Sequence, residues 1–193
     1  MKVLISGASG LIGTTLCDAL QERGDTVARL VRKEWSSDPA EILWDPSAGY
    51  IERGKLEGFD AAVHLSGENV GSGRWTEAKK REILESRIRT TKLLCKTFRE
   101  LANPPGVWVC ASAIGYYGNC GDHKVDEDGE IGETFLAEVC RQWEAATHPA
   151  RESGIRVVNT RFGFVMGGKK SPFAKMLLPF KLGLGGPVGP GTQ

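Results

Sequence analysis

Ser6-Gly7-Ala8-Ser9-Gly10-Leu11-Ile12-Gly13 follows the apolar run Val3-Leu4-Ile5 and opens a stretch with helical periodicity. Between a strand and a helix, three glycines at this spacing each have a separate duty. Gly7 permits a tight turn, Gly10 lets a pyrophosphate approach the backbone, and Gly13 lets the helix pack closely on the strand. The helix start then offers unpaired N–H groups and about half a positive charge to the phosphates. Gly7, Ser9, Gly10, Leu11, Ile12 and Gly13 are therefore the expected phosphate-binding turn.

Outward from that turn, apolar runs alternate with helical patterns. Residues 2–6 read as a buried strand and 11–23 as a helix with Leu16, Ala19 and Leu20 on one face, ended by Gly24-Asp25. Residues 26–31 form the next strand, Ile42-Leu43-Trp44 a short third one stopped by Asp45-Pro46, and 61–65 another buried run. A long helix spans 75–101 with Leu84, Ile88, Cys95 and Phe98 at helical spacing, terminated by Asn103-Pro104-Pro105-Gly106. A strand at 107–111, a helix at 131–152 and a strand at 155–160 complete the pattern. Alternation of this kind implies right-handed crossovers and a doubly wound α/β fold, a parallel sheet of the Rossmann type. The binding domain is expected over 1–165, with 166–193 opening a substrate-binding region. Gly183 to Gln193 holds five glycines and two prolines, so the chain is expected to be truncated, its C-terminal substrate-domain part largely missing.

Composition sets limits around this reading. A chain of 193 residues, 40% apolar and 25% charged, suits one globular domain plus the beginning of a second. Lys and Arg total 25 against 24 Asp and Glu, a balance that argues against a nucleic-acid binder. The 25 glycines show no period, which points to many tight turns and away from collagen or solenoid repeats. The five cysteines (Cys17, Cys95, Cys110, Cys120, Cys140) contain no CxxC pair, and His64, His123 and His148 lie far apart, so no metal-ligand spacing is present. With neither a signal-peptide pattern nor ~20 consecutive apolar residues, the expected location is the cytoplasm, away from membranes.

The end of the second strand selects the dinucleotide. A ribose 2′-hydroxyl is usually held there by an Asp or Glu. This strand ends instead in Val31-Arg32-Lys33, with Glu34 only after two cations. A carboxylate repels a 2′-phosphate, whereas a guanidinium grips it bidentately, so Arg32 points to NADP(H).

The glycine turn and the strand end His64-Leu65-Ser66-Gly67 together resemble the extended short-chain dehydrogenase/reductase superfamily. Gly67-Glu68-Asn69, Arg74-Trp75-Thr76, Ser86-Arg87, Gly115-Tyr116-Tyr117-Gly118 and Trp143-Glu144 narrow the resemblance. So do Leu178-Pro179-Phe180 and Leu184-Gly185-Gly186. They resemble the atypical branch of nucleoside-diphosphate-sugar epimerase family proteins, also called cell division inhibitor-like. The resemblance implies that Leu65, Ser66 and Gly67 pass the cofactor riboses and that Arg87, with Glu82 near it, meets a phosphate. It also implies that Val165 lines the nicotinamide end. A solvated basic helix face for Arg87 and Glu82, and core packing for Val165, are the structural alternatives. Members often pair through their long helices, which makes a homodimer an expectation as well.

Active members of the superfamily use a Ser and a Tyr-x-x-x-Lys pair, in which Lys and the oxidised nicotinamide lower the Tyr pKa for proton transfer. Here the residues four after Tyr50, Tyr116 and Tyr117 are Gly54, Cys120 and Gly121. The corresponding pair reads Phe135 and Val139, neither of which can exchange a proton. Ser112, one place before the Ala113 that aligns with the family serine, and Tyr117 are the candidate catalytic residues. Asp126-Glu127-Asp128 and Lys169-Lys170 read as solvated surface runs. Two functions follow. One is an NADP(H)-binding oxidoreductase or epimerase-like enzyme for a small, nucleotide-linked substrate. The other is a non-catalytic NADP(H)-binding redox sensor or regulatory module.

Overall fold

The glycine turn is bracketed by β1 (Lys2–Ser6) and α1 (Leu11–Glu22) in the structure, a computed structural model that describes residues 1–33, 35–167 and 171–186. Glu34 and Lys169-Lys170, named above, lie outside the described residues. Val3 to Ser6 are all buried, as befits the middle strand of a sheet covered on both faces. β1 pairs in parallel with β2 (Thr26–Val31) on one side and with β5 (Ala61–His64) on the other, with Val3 opposite both Val27 and Ala61. β3 (Glu41–Asp45) continues outward from β2, while β6 (Val107–Ala113) and β7 (Arg156–Phe162) continue from β5. With β4 (Tyr50–Ile51) at the outer edge, the seven-stranded order is β4-β3-β2-β1-β5-β6-β7.

The doubly wound reading therefore holds with one exception at the edge. β4 (Tyr50–Ile51) runs antiparallel to β3, pairing Trp44 with Ile51. Two residues are too few to show an alternating pattern, and the hairpin rests on Asp45, whose carboxylate accepts the Ser47 N–H at 2.8 Å.

Helices bury apolar side chains on each face. On one, Cys17 of α1 meets Val3, Ile5 and Val27. On the other, Leu94, Cys95 and Phe98 of α2 (Glu77–Arg99) join Leu4, Leu30, Trp108 and Trp143. The buried face of α2 runs through Ile83, Thr90, Thr91 and Leu94, so Leu84 and Ile88 flank it, half-buried.

The single helix expected over 131–152 is two. α3 (Phe135–Ala145) starts where the Thr134 hydroxyl accepts the Ala137 N–H at 3.1 Å, and α4 spans His148–Glu152. The break has a physical cause. Thr147, fully buried, donates its hydroxyl to the Glu144 carbonyl at 2.7 Å, and Pro149 has no N–H with which to continue the ladder.

The chain divides into two compact units, Met1–Phe162 and Gly163–Gln193. The second contains α5 (Pro172–Lys181), capped by Ser171, which apolar periodicity alone did not reveal because Pro179 lies inside it. All five cysteines are free thiols, and among the described residues no helix is long and apolar enough to cross a membrane.

Candidate functional site

At the carboxyl end of β1 the backbone turns so tightly that side chains have no room. Gly7 has φ +74°, and a Cβ on it would stand 2.7 Å from the Leu65 carbonyl carbon. A Cβ on Gly13 would lie 2.2 Å from the Gly7 carbonyl oxygen. The Gly10 N–H donates to that same oxygen at 3.0 Å, closing the turn. Gly10 is also the N-cap of α1, which has neither a side-chain cap nor an acidic residue in its first turn. An uncapped helix start beside a side-chain-free backbone is a cradle for an anion, and a pyrophosphate fits it.

Behind the cradle stands His64. Its Nδ1 lies 2.6 Å from the Ser6 hydroxyl, and its Nε2 faces Thr91 and Thr90 at 3.1 and 3.2 Å. Thr90 donates its own hydroxyl to the Ser86 carbonyl at 2.7 Å, so both ring nitrogens sit among hydroxyls anchored on β1 and α2. Complete burial, with the Arg87 charge as a second cause, lowers the His64 pKa to about 3. The ring is neutral and structural, locking β1 to β5 and α2.

A cleft of about 830 Å³ runs from the glycine turn along the ends of β2, β3 and β5. Gly7, Ser9, Gly10, Val31, Arg32, Lys33, Leu65, Ser66 and Gly67 line it, while Leu11, Ile12 and Gly13 form the first turn of α1 beneath. Thr14, Arg29, Glu41, Trp44, Asp45 and Arg89 line it as well, although sequence reasoning had not chosen them. The cations differ in their commitments. Arg29 donates to Asp38 at 2.6 Å and Lys33 to Glu41 at 2.9 and 3.1 Å. Arg32 is exposed and has no hydrogen-bond or ion-pair partner among the described residues.

Arg87 and Glu82 do not come together. Five positions apart, they lie on different faces of α2. The Glu82 carboxylate pairs with Lys79 at 3.2 Å, whereas the Arg87 guanidinium lies over the Trp143 ring at 5.0 Å and donates to the Ile83 carbonyl at 2.9 Å. Arg87 also packs against Gly67, where an added Cβ would meet its Cζ at 3.1 Å. Val165 belongs to the second unit.

Ser112 and Tyr117 are joined through two residues the sequence reading left without a role, Glu144 and Arg161. The Ser112 hydroxyl donates to the Glu144 carboxylate at 2.6 Å, and Arg161 grips both Glu144 oxygens at 3.0 Å each. Arg161 further donates to the Tyr117 hydroxyl at 2.8 Å and the Glu127 carbonyl at 2.9 Å, and its Cζ lies 3.5 Å from the Tyr116 ring centroid. Glu144 first, then Tyr117, raises the Arg161 pKa above its usual value. The bidentate pair links α3 to β7 and holds the segment after β6 over the sheet end.

Phe135 opens α3, half-buried and edge-to-face with Trp75 at 5.7 Å, beside a pocket of about 430 Å³ that also meets Gly115, Gly118 and Asn119. Val139, one turn on, is buried at 2% exposure. Neither side chain offers a proton.

Comparison with known proteins agrees with this geometry. The model of the NAD dependent epimerase/dehydratase family matches residues 3–180. Epimerase family protein Mb2239 of Mycobacterium bovis is 39% identical over 191 residues, 99% of this chain and 62% of the relative. The crystal structure of human epimerase family protein SDR39U1 (isoform 2) with NADPH is similar at TM-score 0.86 and 38% identity, covering 100% of this chain and 64% of that one. The nucleoside-diphosphate sugar epimerase from Corynebacterium glutamicum is similar at TM-score 0.80 and 38% identity, over 99% of this chain and 39% of that one. The chain thus spans less than two thirds of the length of these relatives.

Proposed function

This chain belongs to the NAD dependent epimerase/dehydratase family, and from that premise we propose that it is the NADP(H)-binding part of an oxidoreductase or epimerase-like protein acting on a small, nucleotide-linked substrate. The observation that carries the proposal is the uncapped, side-chain-free turn at Gly7, Gly10 and Gly13 opening onto a cleft whose far end holds Arg32. When bound, NADP(H) supplies or accepts a hydride. In this reading the α1 N–H groups hold the pyrophosphate, and Leu65, Ser66 and Gly67 pass the riboses. Arg32, with Lys33 beside it, meets the 2′-phosphate, Val31 walls the adenosine and Val165 the nicotinamide end. Arg87 steadies Gly67 from behind, and Glu82 joins Glu68 in pairing with Lys79. Support for the cofactor comes from the human relative, crystallised with NADPH; support for a nucleotide-linked substrate comes from the Corynebacterium relative described as a nucleoside-diphosphate sugar epimerase.

Ser112 and Tyr117 are the polar groups proposed to touch substrate, and residues 166–193 to begin the region that binds it. Five free thiols favour a cytoplasmic location, and the half-buried Leu84 and Ile88 on α2 favour a homodimer. A second reading, an NADP(H)-binding redox sensor without chemistry, is favoured by Phe135 and Val139, which cannot relay a proton. Titration calorimetry with NADPH, followed by turnover assays on simple carbonyls and common nucleotide sugars, tests both. We expect NADPH binding with little or no turnover by this chain. Absence of NADPH binding refutes the proposal, and robust turnover surviving Ser112→Ala and Tyr117→Phe refutes the assignment of those two residues.

A further inference from the structure

The carboxylate missing from the end of β2 reaches the same end of the cleft from the neighbouring strand. Glu41 opens β3 directly opposite Arg29 in the parallel register. Its side chain is only 10% exposed, yet it lines the cleft. The carboxylate accepts the Ser36 hydroxyl at 2.5 Å and the Lys33 ammonium at 2.9 and 3.1 Å, and lies 3.8 Å from the Arg29 guanidinium. The Ser36 and Lys33 bonds hold its pKa below the usual carboxylate range, so it is charged at neutral pH.

Three cations therefore stand at this end, Arg29, Arg32 and Lys33, against two carboxylates, Asp38 and Glu41. The balance among these five groups is a single positive charge. Lys33 cannot turn its full hydrogen-bonding capacity to a phosphate, because both Glu41 oxygens hold it. A second negative group brought beside Glu41 meets like-charge repulsion in a partly desolvated place. A ribose 2′-hydroxyl carries no charge and feels neither effect.

We infer that Glu41 limits the preference of this cleft for NADP(H) over NAD(H), acting as a specificity-determining carboxylate supplied by β3 rather than β2. The inference rests on the cofactor reading above and adds a residue to it. Glu41 works by engaging Lys33 and by placing a fixed negative charge near the 2′ position. Arg32 supplies the preference; Glu41 caps it.

The experiment is calorimetric titration of the parent chain and Glu41→Gln with NADPH and NADH, repeated with 2′,5′-ADP and 5′-AMP. Glutamine keeps the shape and removes the charge. The NADPH-to-NADH affinity ratio should rise about tenfold at low salt, with most of the gain lost at about 1 M salt, where screening is nearly complete. The two nucleotides should show the same shift without any nicotinamide. A purely structural role for Glu41 would weaken both members of each pair equally, and that result overturns the inference. So does an unchanged ratio. If Glu41→Gln fails to fold, Lys33→Ala is the test, since Lys33 is largely exposed and its loss leaves the Glu41 charge only the Ser36 hydroxyl and Arg29 at 3.8 Å. The ratio should then fall about tenfold, and no fall overturns the inference. A parent chain that binds neither cofactor refutes the cofactor reading itself, which separates the two failures.

Discussion

Arg32→Ala tests the cofactor assignment at a cation beside the end of β2 whose loss breaks no described contact. Arg29 is tied to Asp38 at 2.6 Å and Lys33 to Glu41 at 2.9 Å, so removing either would release a carboxylate into the cleft. Arg32 is exposed and without a partner among the described residues, so its truncation should leave the melting temperature unchanged. A charge-assisted hydrogen bond contributes about 1.5–3 kcal/mol. At an exposed rim, where water competes, the lower part of that range applies, about 1.5–2 kcal/mol, or roughly ten- to thirtyfold in affinity. NADPH binding should weaken by that factor while NADH binding changes less than about twofold, because the adenosine and pyrophosphate contacts survive. Calorimetry on both cofactors, with a parallel salt series, reads this directly. Equal losses for the two cofactors in Arg32→Ala, or tighter NADH than NADPH in the parent, would refute the reasoning.

Two further outcomes follow from buried groups. His64 stays neutral in the folded chain down to about pH 3, whereas an unfolded histidine protonates near 6.5, so the unfolded state binds the extra proton across that window and stability falls as pH falls. Urea unfolding should therefore show a loss of about 2 kcal/mol from this residue between pH 7.5 and 5, absent in His64→Gln; a parent profile flat over that range would contradict it. Gly13→Ala places a Cβ 2.2 Å from the Gly7 carbonyl oxygen, a backbone atom that cannot step aside, so destabilisation of about 2–3 kcal/mol with loss of NADPH binding is expected. Gly54→Ala, where the added Cβ meets nothing within 4 Å, should be nearly neutral in the same urea titration, and equal effects at the two sites would count against the packing argument.

What could be read in advance divides along a physical line. A phosphate cradle is a backbone device, made from consecutive residues, so Gly7 to Gly13 announce it in the order in which they act. Strands buried on both faces are equally local, and β1 and β2 end where their apolar runs end. The break before α4 was less visible. Apolar periodicity continues past Thr147, and only the buried hydroxyl bond to Glu144, together with Pro149, shows why the helix stops. Side-chain commitments across strands were not visible at all. Nothing near Arg32 in the chain indicates that Glu41 would take Lys33, because that pairing depends on the register of β3 against β2.

The same division explains why the cofactor end and the chemical end of this chain differ in legibility. Ser112 and Tyr117 are candidates through the family resemblance and their positions near the end of β6, but their partners Glu144 in α3 and Arg161 in β7 meet them only when four segments converge. The bidentate Arg161–Glu144 pair spends the donor capacity that an anionic substrate would otherwise find there, and the Ser112 hydrogen is already directed to Glu144. A substrate that parts this pair must offer Glu144 a replacement donor and Arg161 a replacement acceptor; otherwise a largely buried charge is left unpaired. That requirement suits a ligand carrying both a hydroxyl and a negative group, as the nucleotide-linked substrate proposed above would. An uncharged carbonyl compound offers Arg161 an acceptor but gives Glu144 no donor, and on these grounds simple carbonyls should be the poorer ligands of the two classes assayed.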